Sequence, residues 1–263
     1  MKNKYKILLI TFFVSIVWLA FFYFRDEKVH VLKQYFPDVK ITDSSEYVIR
    51  NGDTVFQGRF VQYNEKGIKI AEGNFINGHI EGECIYYYDS GKIESIHYKK
   101  NGKITLDSKF YDTTGLMNKY VLYDDIGKPS FIIRFDEKGA TKYEGYFQLE
   151  IYQYKFSHKK EFSSTEDQYL KVGDTLKYKY IVANIPNAKR DFKVENIGVD
   201  NSKVKRTIKE LYPTQINVEE VLIKKGKNTI RSIVQYKFND KVTPIFKDTI
   251  YFNVNVNWNS WRK

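Results

Sequence analysis

A short pattern, an aromatic residue followed four positions later by glycine, recurs in this chain at a constant interval. The copies are Tyr63 with Gly67, Tyr87 with Gly91, Tyr111 with Gly115, and Phe135 with Gly139. Successive aromatic residues are 24 positions apart, and so are successive glycines. A constant spacing of this size indicates that one supersecondary unit has been copied along the chain.

Further glycines divide each interval into two halves of about one strand and one turn. Gly78 and Gly102 follow asparagine, and Asn-Gly favours the tight primed turn of a β-hairpin. Asp112, Asp124 and Asp136 each precede a glycine by three positions, a spacing that suits a longer hairpin loop with positive φ at its end. The pattern therefore predicts an antiparallel β-meander of hairpin repeats over residues 46–150.

These residues resemble the MORN-repeat variant of YwqK-type antitoxin proteins. The best copy spans residues 72–92, where Phe75, Asn77-Gly78, Gly82, Tyr87 and Gly91-Lys92 fall on the family pattern. The resemblance covers about residues 45–150 and weakens in the later copies, where Leu106 replaces a glycine. It implies a meander that acts as an interaction surface, with no catalytic residues to carry over.

Composition and alternation extend the β prediction to the rest of the chain. The 263 residues include 22 Tyr, 19 Phe and only five Pro, a balance that favours strands. Residues 174–182 and 252–257 alternate between apolar and polar side chains, as half-buried antiparallel strands do. Seven such segments predict a β-sandwich over residues 151–263, similar to immunoglobulin-like bacterial surface domains in architecture only.

The N-terminus predicts a membrane anchor. Residues 7–24 form an apolar run just long enough to cross a bilayer, and the bulky residues after it argue against signal cleavage. Lysines in residues 1–6 predict a cytoplasmic tail and a single-pass inner-membrane protein with extracytoplasmic domains. In the juxtamembrane linker, 25–45, Val29, Leu32 and Tyr35-Phe36 recur at helical spacing, which predicts a short helix on the first strands or on the membrane.

Positive charge is concentrated in the predicted sandwich. Residues 151–263 hold 22 Lys and Arg against 12 Asp and Glu, whereas the whole chain carries +11. Alternation places Lys203, Lys205 and Lys209 on one strand face, with Val204 and Ile208 inward. The candidate interaction face comprises Lys203, Lys205, Lys209, Lys224, Lys225 and Lys227. The alternative is a lysine-rich surface that only keeps the domain soluble.

Aromatic residues occupy both faces of the predicted meander, as Tyr86-Tyr87-Tyr88 shows. A single-layer sheet would leave one aromatic face exposed as a binding surface, unless the sheet curls or docks on another part of the chain. The sequence leaves both possibilities open.

No motif for catalysis or cofactor binding is present in the sequence. Cys84 is the only cysteine, and no histidine shares its strand to activate it, so a structural thiol is favoured. The four histidines lack metal-ligand spacing, and no phosphate loop or nucleophile elbow occurs. We therefore expect no enzyme activity, catalytic residue, metal or cofactor, and no nucleic-acid partner.

Together these features predict a non-enzymatic, membrane-anchored extracytoplasmic protein that mediates protein–protein or envelope interactions. Its partner would be a protein or an anionic envelope component. The alternative is a YwqK-like antitoxin or immunity protein that neutralises a toxin by direct binding. An envelope hydrolase is a third possibility, and no group of residues supports it.

Overall fold

The structure, a computed structural model, describes residues 12–15, 18, 27–152, 170–240 and 242–256. Within these ranges the chain is mainly β with antiparallel sheets, as the sequence predicted. Twelve strands precede the second gap: β1 (His30–Phe36), β2 (Ile41–Arg50), β3 (Asp53–Tyr63), β4 (Lys69–Ile76), β5 (His79–Ile80), β6 (Gly82–Tyr87), β7 (Ile93–Lys100), β8 (Ile104–Tyr111), β9 (Met117–Tyr123), β10 (Pro129–Asp136), β11 (Gly139–Gly145) and β12 (Gln148–Tyr152).

The remaining elements are six strands and one short 3₁₀ helix. They are β13 (Thr175–Val182), β14 (Ala188–Ile197), the 3₁₀ helix (Asn201–Lys203), β15 (Arg206–Leu211), β16 (Gln215–Val221), β17 (Gly226–Phe238) and β18 (Phe246–Val256). β1 to β11 form one large sheet in which neighbours in sequence pair, apart from β5, which pairs only with β4. The other strands form a four-stranded sheet, β12-β13-β16-β15, and a three-stranded sheet, β14-β17-β18.

The two smaller sheets face each other as a β-sandwich. Tyr178 and Tyr180 of β13 make edge-to-face contacts with Phe252 and Phe192 of the opposite sheet, at centroid distances of 5.1 and 5.2 Å. Leu176, Tyr178 and Tyr180 are buried, and their alternation with Lys177 and Lys179 gives β13 one apolar face. The described part of the sandwich begins with β12, and residues 153–169 lie outside the described ranges.

Each repeat aromatic lies directly after a β-bulge. The strand register shifts between residues 62 and 63, 86 and 87, 110 and 111, and 134 and 135. A bulge adds one residue to one strand and increases its twist. Tyr63, Tyr87, Tyr111 and Phe135 each lie at or next to the last residue of a strand, at the entrance to a turn.

The repeat glycines close these turns in the left-handed region. Gly67, Gly91, Gly115 and Gly139 have φ values of +74°, +79°, +95° and +138°. At the third turn, Asp112 Oδ1 accepts bonds from the amides of Thr114, Gly115 and Leu116. The turn chemistry that the sequence predicted for Asp112 is therefore confirmed.

Replacing Gly91 with valine should destabilise the protein by about 1–3 kcal/mol, because a β-branched residue is strained at positive φ. No atom lies within 4 Å of the position that a Cβ at residue 91 would occupy, so the substitution tests backbone strain and not steric overlap. Chemical denaturation of the purified protein measures the effect. Ser90→Val, at the exposed neighbouring position without positive φ, is the matched control. Equal midpoints for the two variants would contradict the turn assignment.

Two predictions for the N-terminal region are wrong. Helical residues occur at Phe12–Ser15 and Trp18, but in the described ranges no helix is long and apolar enough to cross a membrane. This finding contradicts the transmembrane helix predicted over residues 7–24 and the single-pass inner-membrane localisation that depended on it. Most of that segment, and the predicted tail over 1–6, lie outside the described residues.

The short helix predicted in the linker 25–45 is also absent from its described part, residues 27–45, which contains β1 and the first half of β2. Pro37 begins a hairpin turn instead of ending a helix: the amide of Lys40 donates to the Pro37 carbonyl at 3.3 Å. Lys40 has a φ of +53°, which turns the chain into β2. The large sheet therefore begins at His30, before the predicted start at residue 46.

One end of the large sheet packs against the sandwich. Tyr120, Leu122, Phe131 and Ile133 of β9 and β10 are buried in the same apolar core as the sandwich residues. The Tyr120 hydroxyl accepts a bond from the amide of Asn184 at 2.8 Å. The sequence left open whether the sheet keeps one aromatic face exposed or docks on another part of the chain. At β9 and β10 the sheet docks on the sandwich, and its face there is covered.

A small polar cluster lies at the same junction. The Tyr120 hydroxyl donates to the buried carboxylate of Asp107 at 3.3 Å. Nearby, the Tyr212 hydroxyl donates to Glu83 at 3.2 Å, and its ring contacts Tyr98 edge to face. These contacts connect the sandwich to β6 and β7. Four strand spacings of about 4.8 Å separate β6 from β1 at the far end of the sheet.

Candidate functional site: an open strand edge and the cleft beside it

Strand β1 forms one edge of the large sheet, and in the described ranges it pairs only with β2. Residues 31–36 are all exposed. Val31 and Tyr35 are 64% and 54% exposed on one face, and Leu32 and Phe36 are 40% and 41% exposed on the other. The strand thus presents apolar side chains on both faces beside a row of backbone groups available for pairing.

β1 is held firmly although its outer edge is open. Its register with β2 runs without interruption from His30 opposite Tyr47 to Phe36 opposite Ile41, and the His30 and Tyr47 rings stack at 5.3 Å. Before the strand, Glu27 accepts two bonds from Arg50, at 2.6 and 2.7 Å. A pre-ordered strand loses little conformational entropy when another strand adds to it.

The opposite edge of the sheet, β11, is also exposed over most of its length, but it differs from β1 in regularity, charge and contacts. The register shifts within its pairing to β10. Charged residues Lys142 and Glu144 lie on β11 and form an ion pair with each other. At its start the amide of Ala140 donates to Thr243 Oγ1 at 3.0 Å. Bulges, charges and covering contacts are the devices by which proteins protect strand edges, and β11 has all three.

Next to the open edge is a cleft of about 530 Å³ on the face of the sheet that carries Tyr35 and Tyr63. Thr42 pairs with Tyr35 on one side and Tyr63 on the other, which gives a tyrosine–threonine–tyrosine row across three strands. Ser44 is the register partner of Lys33 in the next row. The lining residues are Lys33, Tyr35, Thr42, Ser44, Tyr63, Asn64, Glu65 and Gly67.

The turn from β3 to β4 forms the wall of the cleft. Asn64 Oδ1 accepts bonds from the amides of Lys66 and Ile68, both at 3.0 Å, so the loop is fixed by its own side chain. Glu65 pairs with Lys40 at 3.1 Å. In the described ranges no carboxylate lies within ion-pair distance of the Lys33 ammonium, so Lys33 gives the cleft its positive charge.

A second charged cluster continues along the same face. Burial disfavours the charged form of Glu72, but hydrogen bonds from Lys69, Tyr87 and Arg59 outweigh it and lower the pKa of Glu72 to about 2. The Lys69 ammonium also lies 4.1 Å from the centre of the Tyr87 ring. Glu72 therefore stays ionised at neutral pH and pairs with both Lys69 and Arg59, and neither of these cations lines the cleft, whereas Lys33 does.

The predicted lysine face is only partly assembled. Lys203 belongs to the 3₁₀ helix and lies 3.7 Å from Asp200, and Lys205 precedes β15, so neither shares a strand with Lys209. Val204 is buried as predicted, whereas Ile208 is 42% exposed because β15 is an edge strand. Lys224, Lys225 and Lys227 are exposed at and just after the turn from β16 to β17. Binding of an anion by these lysines stays a prediction.

Cys84 is buried, and the pKa of its thiol is raised by that burial. Its register partner on β7 is His97, a neighbour that the strand-by-strand reading of the sequence missed. His97 Nδ1 lies 2.7 Å from Ser108 Oγ and Nε2 lies 3.0 Å from Ser95 Oγ, while burial lowers the His97 pKa. Both serines are buried, so the cluster has the character of a satisfied structural network.

Comparison with known proteins does not assign the chain to a family. No protein-family model matches it, and no curated protein matches it. The resemblance to MORN-type repeats therefore stays a prediction, as does the antitoxin alternative. Among the described residues no three His, Cys, Asp or Glu side chains group closely enough to hold a metal ion.

Proposed function

We propose that this protein is a binding protein whose first edge strand, β1, pairs with an extended segment of another protein. The contrast between the two edges of the large sheet supports the proposal. β1 is regular, apolar and exposed, whereas β11 is bulged, charged and partly covered. An exposed sheet edge recognises an extended segment through main-chain hydrogen bonds, and side chains on alternate positions supply specificity.

The position of Lys33 favours a different protein as the partner over a second copy of this chain. Lys33 lies in the middle of β1. Two copies joined edge to edge about a two-fold axis at the middle of β1 would place Lys33 near its own symmetry mate, so like charges would face each other. A segment with apolar residues on alternate positions and an acidic residue opposite Lys33 would instead satisfy both the apolar side chains and the charge.

A photo-crosslinking residue placed at Gln34 should capture a second protein in cells that express the full chain. The matched control is the same residue at Thr141, an exposed position on β11, where no capture is expected. Lys33→Glu should reduce the Gln34 adduct by about tenfold, because it removes an attraction and adds a repulsion worth roughly 1.4 kcal/mol or more.

Mass spectrometry of the adduct decides between the possible occupants. An adduct that joins two copies of this chain would show self-pairing and contradict the proposal. Equal capture from Gln34 and Thr141 would show that neither edge is selective. If Lys33→Glu left the yield of the Gln34 adduct unchanged, the partner segment would not place an acidic residue opposite Lys33.

A further inference from the structure

The cleft between β1, β2 and the β3–β4 turn has the size and shape of a small-molecule site. Its volume of about 530 Å³ falls within the range of roughly 300–1,000 Å³ usual for ligand pockets. It lies on the face of the sheet, so a ligand in it would contact side chains and leave the backbone edge of β1 untouched. The cleft shares the side chains of Lys33 and Tyr35 with β1, but it does not use the main-chain edge on which the proposed function rests.

Two rings and two hydroxyls define the chemistry of the cleft. Tyr35 and Tyr63 flank Thr42 in one row, and direct cross-strand neighbours have Cβ atoms about 4.5–5.5 Å apart. The small Thr42 side chain between two tyrosines makes a trough with aromatic sides and a hydroxyl at its floor, and Ser44 continues this floor in the next row. A ligand that fits has apolar C–H groups against the rings and many hydroxyls of its own.

The charge distribution adds a third requirement. Glu65 is engaged by Lys40, whereas Lys33 has no carboxylate partner in the described ranges. A single ammonium group beside hydroxyls suits one carboxylate. Phosphate groups usually bind a backbone nest or an arginine fork, but the amides of Lys66 and Ile68 in this turn already donate to Asn64, and no arginine is among the lining residues.

We propose that this cleft binds a carboxylate-bearing saccharide, with the sugar ring between Tyr35 and Tyr63 and its carboxylate on Lys33. The hydroxyls of Thr42 and Ser44 bond to the ring hydroxyls. Saccharides combine a C–H face with a rim of hydroxyls, and a uronic acid adds the carboxylate, so this one class of ligand meets all three requirements of the cleft.

Titration calorimetry of the full chain with a glucuronic-acid disaccharide tests the proposal. The matched ligand is the same disaccharide with glucose in place of glucuronic acid. Lys33→Met keeps most of the aliphatic stem and should lower affinity for the acidic sugar about tenfold or more, since a hydrogen bond to a charged group is lost. It should leave the weaker binding of the neutral sugar unchanged. Lys100→Met, at an exposed position on β7, is the control variant and should bind like the wild type.

Two further variants separate ring contact from folding. Tyr35→Ala should abolish binding of both sugars, and Tyr35 is exposed on an edge strand, so the fold should survive. Thr42→Val, which keeps the shape of the floor, should weaken both sugars equally. No binding of either sugar to the wild type would overturn the proposal, as would affinity unchanged by Lys33→Met and Tyr35→Ala. Displacement of the sugar by acetate at equal concentration would show a simple anion site and exclude saccharide recognition.

Discussion

Replacing Arg206 with methionine is expected to destabilise the protein by about 3–5 kcal/mol, because the substitution leaves a buried carboxylate without its cation. Arg206 Nε donates to Glu220 at 2.7 Å, and the Glu220 side chain is completely buried. Arg206 also donates to the Val194 carbonyl at 2.8 Å and to Asn196 Oδ1 at 2.6 Å. Since Val194 and Asn196 lie on β14, the guanidinium connects the two sheets of the sandwich.

The remaining bonds of this network show why removing one partner costs so much. The Asn196 amide donates to the other Glu220 oxygen at 3.1 Å, and the Tyr178 hydroxyl donates to Glu220 at 3.3 Å. Without Arg206 these neutral donors must hold a charge alone in a region of low polarity. Removing both charges, as in Arg206→Met combined with Glu220→Leu, should cost much less than Arg206→Met alone.

Lys177→Met provides the matched control in the same sheet, because its partner Glu219 is the neighbour of Glu220 on β16 and Lys177 lies on β13. Lys177 pairs with Glu219 at 2.6 Å, but both side chains are about half exposed, so water screens the pair. Loss of this ion pair should lower the free energy of unfolding by at most about 1 kcal/mol. Denaturant unfolding of the three variants measures the differences. If Arg206→Met and Lys177→Met had the same effect, the Arg206–Glu220 pair would not be a buried network in solution.

The hairpins of the large sheet were predictable because residues within each turn determine its conformation. Asp112 and Gly115 lie within one turn, and the conformation that the glycine needs follows from its neighbours. The bulges before Tyr63, Tyr87 and Tyr111 were not predicted, since a bulge depends on how two strands align and this alignment is not contained in either strand.

β1 illustrates an ambiguity of short apolar segments. The spacing of Val29, Leu32 and Tyr35 matches one face of a helix, but a strand with apolar residues on both faces has the same sequence pattern. The structure forms the strand, because β2 offers a complete register partner from Ile41 to Tyr47. The candidate site depends on this strand, so the cleft beside it could not be predicted from the sequence.

Arg206 shows a different limit. It lies within the basic segment that contains Lys203, Lys205 and Lys209, and charge alone favours an exposed position. Its burial depends on Asn196, ten residues earlier, and Glu220, fourteen residues later. Contacts between separate strands of a sandwich are set by the pairing of the sheets, which a single stretch of sequence does not carry.

Asp107 at the junction of the large sheet and the sandwich is expected to make the stability of the protein depend on pH. Its side chain is buried, and burial raises its pKa to about 6. The groups that face it modify this shift: Lys109 favours the ionised form, the Tyr120 hydroxyl donates a bond to it, and Glu83 disfavours it. Tyr98 and Tyr212 lie beside Glu83 and complete the surroundings of this carboxyl.

The sign of the effect follows from the order of the two pKa values. In the unfolded chain Asp107 has its ordinary pKa of 3.8, and in the folded protein its pKa is about 6. Between these values the folded state binds more protons than the unfolded state, so the free energy of unfolding falls as pH rises. Below about pH 3 the group is protonated in both states and has no effect on stability, and above about pH 6 the loss of stability is nearly complete.

Asp107→Asn should therefore stabilise the protein by about 2–3 kcal/mol near pH 7 and leave its stability unchanged near pH 3. An asparagine oxygen can still accept the bond from Tyr120, so the amide keeps the geometry and removes only the charge. Denaturant unfolding of the variant and the wild type across this pH range measures the difference, and other titrating groups cancel because both proteins contain them. Glu83→Gln, at an exposed neighbour whose charge disfavours ionisation of Asp107, should give a smaller stabilisation near pH 7. A difference between Asp107→Asn and wild type that did not change with pH would mean that Asp107 is hydrated in solution and that the sandwich does not seal this junction.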